Sequence, residues 1–97
     1  LGSRLHLHSA WPTTAADAVF FGPDTVRFVD AIERHLAGRP RPPRRAVDVG
    51  CGAGPGAIAI AARCPEAEVL GLDINEAALR LARVNARLAG ADNATFL

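Results

Sequence analysis

The feature that most constrains this chain is a turn with three alternating glycines between an apolar segment and a proline. The stretch reads Ala46-Val47-Asp48-Val49-Gly50-Cys51-Gly52-Ala53-Gly54-Pro55. Alternating glycines let the backbone turn sharply and approach a ligand without obstruction by side chains. Proline suits the first position of a helix. The pattern therefore predicts a strand, a tight turn and a helix whose first amides and positive dipole end lie beside the turn.

The remainder of the chain continues this alternation of strands and helices. Helix breakers and caps mark the boundaries, with Pro65 after one helix, Asn75 before the next and Gly90 after it. Strands are predicted over 45–49, 68–72 and 94–97, and helices over 55–64 and 76–89. Such alternation predicts an α/β fold with a parallel sheet and right-handed crossovers. It corresponds to the first half of a Rossmann-like, doubly wound sheet, which binds ligands at the carboxyl ends of its strands.

A further helix is predicted before the first strand, over 23–37. Pro23 and Asp24 suit its amino end, and Gly38 is expected to supply a left-handed cap. The apolar stripe at helical spacing consists of Val26, Val29, Ile32 and Leu36. A stiff connector rich in arginine and proline follows, so we divide the chain into residues 1–43 and a truncated ligand-binding half domain, 44–97.

The first 22 residues carry weaker signals. Alternation over Leu5-His6-Leu7-His8 suits a short strand. Trp11 and Phe20 are expected to pack in the core, whereas Phe21 either covers a ligand pocket or packs on the sheet. The three histidines lack the spacing of a metal site.

Length and charge narrow the function classes. Ninety-seven residues with a net charge of +1 allow one small globular domain and give no electrostatic argument for a nucleic-acid or membrane partner. The arginines at 39, 41, 44 and 45 alternate with prolines, which indicates a solvated linker. The apolar run over 57–62 is too short to span a bilayer. Two cysteines without disulfide or metal spacing indicate a reducing compartment, so a cytoplasmic protein is expected.

Asp48 is the first candidate for ligand binding. A strand covered on both faces should be continuously apolar, and a buried carboxylate there is costly without a partner. Amides of the glycine turn or an ammonium group on a ligand would partner it. A dinucleotide's pyrophosphate is anionic and would be repelled.

Asp73 is the second candidate, at the end of the second strand and 21 residues after Gly52. An acidic residue at this point can accept hydrogen bonds from both hydroxyls of a ribose. The alternative is an aspartate that only starts the next turn, and Asn75 caps the following helix in either case.

A dinucleotide-binding oxidoreductase is the competing class, because such domains also have glycine-rich turns. In the register that starts at Gly50, the strict pattern requires glycine or alanine where Pro55 stands. In the register that starts at Gly52, Ala57 satisfies it. The pattern disfavours this class without removing it, and a regulatory domain without turnover also stays open.

The stretch from Ala46 to Leu97 resembles the first half of a class I methyltransferase. Residues 47–54 resemble that family's first motif and residues 69–75 its second. Residues 56–61 and 82–86 are most similar to the group that contains the release-factor glutamine methyltransferase and several RNA methyltransferases. Gly22-Pro23-Asp24-Thr25 resembles an Arg-Pro-Glu-Thr segment of the glutamine methyltransferase that lies by the cofactor, with Gly22 in place of arginine.

The resemblance implies S-adenosylmethionine as cofactor and a planar amide or amine, on a protein glutamine or an RNA base, as methyl acceptor. It implies that Asp73 binds the ribose, Ile74 packs on the adenine and Asp48 binds the ammonium group of the methionine part. The full set of implied cofactor residues is Asp48, Gly50, Cys51, Gly52, Gly54, Asp73, Ile74, Asn75, Phe21 and Thr25. The group's Asn-Pro-Pro-aromatic motif, which holds the acceptor, does not occur in these 97 residues, so the catalytic residues are expected beyond Leu97.

Overall fold

A computed structural model describes residues 4–10, 18–19 and 21–97. In chain order its elements are α1 (Pro23–Gly38), β1 (Arg45–Val49), α2 (Pro55–Arg63), β2 (Glu68–Leu72), α3 (Glu76–Ala89) and β3 (Ala94–Phe96). Within the described residues the three strands form one parallel sheet in the order β1-β2-β3. This confirms the α/β class and the partial Rossmann-like fold predicted from the alternation.

Local sequence signals account for the boundaries of α2 and α3. Pro55 occupies the first turn of α2. The side chain of Asn75 accepts hydrogen bonds from the amides of Ala77 and Ala78 and so caps α3. Gly90 ends α3 in the left-handed conformation, with φ of +68°. These three residues satisfy or replace the unpaired groups of the helix ends, as their types predict.

The prediction for α1 was wrong in one detail, the left-handed cap at Gly38. Gly38 lies within the helix and is not left-handed, because Arg39 ends it in an extended conformation and donates its amide to the Leu36 carbonyl. Val26 is 48% exposed, while Val29 of the same stripe is buried. Helix α1 packs mainly against α2, and Leu36 at the far end of the stripe is partly buried against the core, so the first turn is the exposed part of the stripe.

The strand expected over residues 5–8 is absent from the described segment 4–10. Among the described residues, no strand pairs with this segment. Instead, the backbone of Leu7 is hydrogen-bonded by the side chain of Asn85. Trp11 and Phe20 lie outside the described residues.

The two faces of the sheet differ. On one face α2 and α3 cover a core that includes Ile58, Val69, Leu79 and Phe96. On the other face Val47 is 57% exposed and Val49 is 80% exposed. Parallel sheets are usually covered on both faces, so among the described residues this layer is built on one side only.

The described residues contain neither a disulfide nor a helix that is long and apolar enough to cross a membrane. Cys51 and Cys64 are both free and buried.

Candidate functional site

The glycine turn between β1 and α2 has the conformation that its sequence predicts. Gly50, Gly52 and Gly54 have φ angles of +74°, +56° and +89°, which residues with side chains rarely adopt. A Cβ atom added to Gly50 or Gly52 would have no neighbour within 4 Å. The outer side of the turn is therefore open.

Backbone hydrogen bonds fix the turn on the ends of two strands. The amides of Gly50 and Cys51 both donate to the Leu72 carbonyl, at 2.7 and 2.9 Å. The amide of Gly54 donates to the Cys51 carbonyl at 3.0 Å. Because these amides already donate within the protein, they hold the turn in place and are not free to donate to a ligand.

Asp73 stands just after β2 and binds the turn from the other side. Its Oδ2 accepts the Gly52 amide at 2.8 Å, and its Oδ1 accepts the Asn75 amide at 2.9 Å. The residue is half-buried. Each carboxylate oxygen can accept more than one hydrogen bond, so the two backbone bonds orient the group and leave capacity for a ligand.

Asp48 is buried below the turn, with 9% of its surface exposed. Its Oδ2 accepts the amide of Ala57 at 3.1 Å, and this is the one hydrogen bond the carboxylate makes among the described residues. Ala57 lies in the first turn of α2, whose N-cap, Gly54, has no side chain to satisfy it. Asp48 therefore caps α2 from the neighbouring strand.

Electrostatics leave the Asp48 carboxylate partly uncompensated. Burial raises its pKa, the hydrogen bond from Ala57 acts in the opposite direction, and the nearby charge of Asp73 raises it further. Two carboxylates at one end of the sheet favour a ligand with positive charge.

The same arrangement disfavours a dinucleotide. The pyrophosphate of such a ligand normally lies on free amides at the amino end of the helix after the turn. Here Pro55 supplies no N–H, and the amide of Ala57 already donates to a carboxylate. A second anion at this place would be repelled by Asp48.

An open depression of about 330 Å³ lies at the carboxyl ends of the strands. Its lining includes Gly50 and Asp73, together with Ile74, which is fully exposed. Val49, Leu72 and Leu97 complete an apolar floor. The depression thus joins a carboxylate, a glycine edge and an exposed aliphatic side chain, as expected for a nucleoside site.

Other predicted residues lie outside this depression. The Cys51 side chain is in the core, 5% exposed, and burial raises the pKa of its thiol to about 11. Thr25 accepts the Gly22 amide within the first turn of α1. The Phe21 ring lies against His6 and His8, with centroids 5.5 and 5.6 Å away, and does not line the depression.

The sequence interpretation missed two residues that shape the site from below. The Phe96 ring would lie 2.5 Å from a Cβ at Gly71 and 3.1 Å from one at Gly54, so it supports the turn. Asn85 is fully buried and donates to the Ala53 carbonyl within the turn at 2.9 Å. Its available signal was a polar residue between Ala82 and Ala86 on the apolar side of α3.

A larger depression, about 690 Å³, lies on the uncovered face at the amino ends of the strands. Its charged residues include Arg45 and Glu68, which form an exposed ion pair of 3.5 Å with each other. Because open α/β sheets bind ligands at the carboxyl ends of their strands, the smaller depression is the candidate functional site.

Comparisons with known proteins agree with this geometry. The profile of a methyltransferase domain family matches residues 42–97, more than half of the chain. The chain therefore belongs to the methyltransferase domain family.

The release factor glutamine methyltransferase of Bordetella pertussis is 38% identical over 81 residues, which are 84% of this chain and 29% of that protein. The trans-aconitate 2-methyltransferase of Methylobacterium radiotolerans is 56% identical over 41 residues, 42% of this chain and 16% of that protein. The N-terminal domain of EvdMO1, solved with SAH bound, has a TM-score of 0.59 and 26% identity over 78% of this chain and 30% of its own. The chain thus spans less than a third of the curated relatives that it matches.

Proposed function

We propose that this chain forms the ribose side of the cofactor site of an S-adenosylmethionine-dependent methyltransferase. The observation that carries the proposal is the Asp73 carboxylate, which is held 2.8 Å from the Gly52 amide at the end of β2. Membership of the methyltransferase domain family supports it, as does a similar domain that was solved with SAH bound.

The cofactor's parts match the chemistry of the depression. Asp73 accepts hydrogen bonds from the two ribose hydroxyls, since each of its oxygens keeps a free lone pair. Ile74, exposed beside it, covers one side of the adenine. The open outer side of Gly50 and Gly52 leaves room for the methionine part.

Asp48 contributes the charge. A methionine ammonium near this buried carboxylate would relieve the repulsion from Asp73 and stabilise the ionised form. Its fixed bond to Ala57 keeps the carboxylate oriented before the ligand arrives. The sulfonium adds a second positive charge, which the two acidic residues favour over the negative charge of a dinucleotide.

When bound, the cofactor supplies an electrophilic methyl group. The residues of this chain bind and orient, because they hold the sugar, the base and the amino-acid part in a fixed position for in-line transfer. No proton transfer is assigned to any of them.

The acceptor we propose is a planar amide or amine, on a protein glutamine or an RNA base. The relative named as a glutamine methyltransferase matches over 84% of this chain. The relative named for trans-aconitate matches over 42% of this chain.

The acceptor is tested by incubating the intact natural protein with labelled cofactor and, in separate reactions, with release factor, structured RNA or trans-aconitate. Label transfer to trans-aconitate alone would refute the amide or amine, and binding without transfer to any would favour a non-catalytic domain.

The first prediction tests the cofactor assignment. In the intact natural protein, Asp73→Ala should weaken SAH binding about tenfold or more, close to 1.4 kcal/mol, because charged hydrogen bonds to the ribose are lost. Calorimetry with SAH and, separately, with NADH provides the measurement. Asp92→Ala, which removes an exposed carboxylate at the other end of the sheet, serves as the matched control. Unchanged SAH affinity in Asp73→Ala, or tighter binding of NADH by the wild type, would contradict the proposal.

A further inference from the structure

Asn85 joins three separate segments through one buried side chain. Its Oδ1 accepts the amide of Leu7, and its Nδ2 donates to the Leu7 carbonyl at 2.9 Å. The same Nδ2 donates to the carbonyl of Ala53 at 2.9 Å. A helix, the N-terminal segment 4–10 and the glycine turn therefore meet at one amide group.

The hydrogen bonds of Asn85 use both of its amide protons and its carbonyl oxygen. A buried polar group is costly without partners. Since the side chain is completely buried, the favourable arrangement requires Leu7 and Ala53 in place together. Loss of either partner leaves an unsatisfied group inside the protein.

The N-terminal segment also reaches the turn by a second route. Ser9 and Val19 are joined by a pair of hydrogen bonds, from the Ser9 amide to the Val19 carbonyl and from the Val19 amide to the Ser9 hydroxyl. Val19 is buried in a small cluster with Ala53 and Ala78. Ala53 is thus held by Asn85 at its carbonyl and by Val19 at its side chain.

Ala53 lies between Gly52 and Gly54 in the glycine turn. The amide of Gly52 donates to Asp73, and Gly54 begins α2 as its N-cap. A shift of the Ala53 peptide would therefore displace the Gly52 amide from the Asp73 carboxylate.

We propose that Asn85 is a positioning residue of the cofactor site and that, through it, the docking of residues 4–10 and cofactor binding are energetically linked. Asn85 touches no part of the depression and acts through Ala53. The linkage rests on the proposed function, whereas the control of the turn by Asn85 is a property of the ligand-free protein.

Asn93 offers a matched control within the same chain. Its Nδ2 donates to three backbone carbonyls, those of Ala61, Cys64 and Ala67, at 3.2, 3.1 and 2.9 Å. It lies at the amino end of the sheet, where Asn93 immediately precedes β3. Replacement of either asparagine by alanine removes an amide that donates to backbone carbonyls, but only Asn85 is connected to the turn.

The second prediction compares Asn85→Ala, Asn93→Ala and Leu7→Pro in the intact natural protein. Leu7→Pro removes the amide that donates to Asn85 and acts at a residue outside the core, since Leu7 is 47% exposed. We expect Asn85→Ala and Leu7→Pro each to weaken SAH binding about fivefold, within the range for residues that couple sites, measured below the unfolding transition. Asn93→Ala should lower the unfolding midpoint without changing SAH affinity.

Two further measurements separate positioning from a general loss of stability. The double variant Leu7→Pro/Asn85→Ala should bind SAH no more weakly than Asn85→Ala alone, because both act through one connection. Without ligand, hydrogen exchange at the Gly52 and Gly54 amides should be faster in Asn85→Ala and Leu7→Pro than in Asn93→Ala.

The outcomes distinguish the two proposals. A wild-type protein that does not bind SAH would refute the cofactor assignment, while faster exchange at the turn would still support positioning by Asn85. Equal affinities in the wild type, Asn85→Ala and Leu7→Pro, or equal exchange in Asn85→Ala and Asn93→Ala, would overturn the role of Asn85. If Asn85→Ala does not fold, Leu7→Pro decides by the same affinity and exchange measurements.

Discussion

The packed side of the sheet and the turn at its carboxyl end use glycine for opposite reasons. In the packed layer, a Cβ at Gly71 would lie 2.5 Å from the Phe96 ring, and one at Gly56 would lie 2.6 Å from the Phe28 ring. At the turn, Gly50 and Gly52 have open space around the missing Cβ but left-handed backbones. The interior beneath the turn is therefore filled, whereas the space above it is free for a ligand.

The comparison predicts that the largest loss of stability follows substitution of a glycine in the packed layer. Gly71→Ala should lower the free energy of unfolding by about 3 kcal/mol, because an extra methyl group in a filled core forces its neighbours apart. Chemical denaturation measures the effect. Gly38→Ala is the control, since a Cβ there meets nothing within 4 Å on a helical backbone, and a small gain in stability is expected. Equal stability of the two variants would show that the space at Gly71 is not filled.

A smaller effect on stability is predicted at the turn, with a distinct effect on binding. Gly52→Ala should cost about 1 kcal/mol, since an L-residue is strained in the left-handed region. Gly90→Ala should cost about as much, because Gly90 has a φ of +68° and equally open surroundings at the end of α3. Calorimetry with SAH should show a loss of affinity for Gly52→Ala alone. Similar binding by both variants would place the ligand elsewhere.

The smallest effect on stability is expected at Asp48, which lies between the two regions. Asp48→Asn keeps an oxygen that accepts the Ala57 amide while it removes a charge whose pKa burial raises. A raised pKa in the folded state gives the wild type a stabilising contribution that is complete below the ordinary value of 3.8 and lost as the pH rises through the folded value. Asp48→Asn should therefore be at least as stable as the wild type at neutral pH and should lack this dependence.

The predicted direction of this pH dependence is tested by measuring the free energy of unfolding against pH in the wild type, Asp48→Asn and Asp92→Asn. Weaker SAH binding in a fully stable Asp48→Asn protein would support the ammonium partner. A strongly destabilised Asp48→Asn would instead mean that the negative charge at the start of α2 outweighs the cost of burial.

Much of the fold was predictable because residues at or next to a helix end determine where the helix begins or ends. Pro55, Asn75 and Gly90 act on their own backbone or on neighbours a few residues away, and the helices and strands around them have nearly the predicted bounds. The proximity of Asp73 to the glycine turn was also predictable, since both follow strands whose carboxyl ends must meet in a parallel sheet. Their role in cofactor binding stays a prediction.

What the sequence did not reveal depends on distant partners. The segment 5–8 alternates like a strand, yet its backbone partner is a side chain 78 residues away. Phe96 supports the turn only because β3 pairs with β2 next to Gly71. Val26 is exposed although it belongs to the apolar stripe of a helix that packs on α2. Local periodicity carries no information about contacts between distant residues, so these contacts could be identified only from the assembled structure.

The carboxylate that caps α2 from the neighbouring strand limits which ligands can bind at the start of this helix. A helix whose positive end is already neutralised from within cannot be converted to phosphate recognition by altering the glycines alone. The internal counter-ion would have to leave first, and its departure would leave the start of α2 without a cap until a phosphate-bearing ligand replaced it. Asp48 therefore disfavours phosphate recognition at the start of α2, whatever the sequence of the glycine turn.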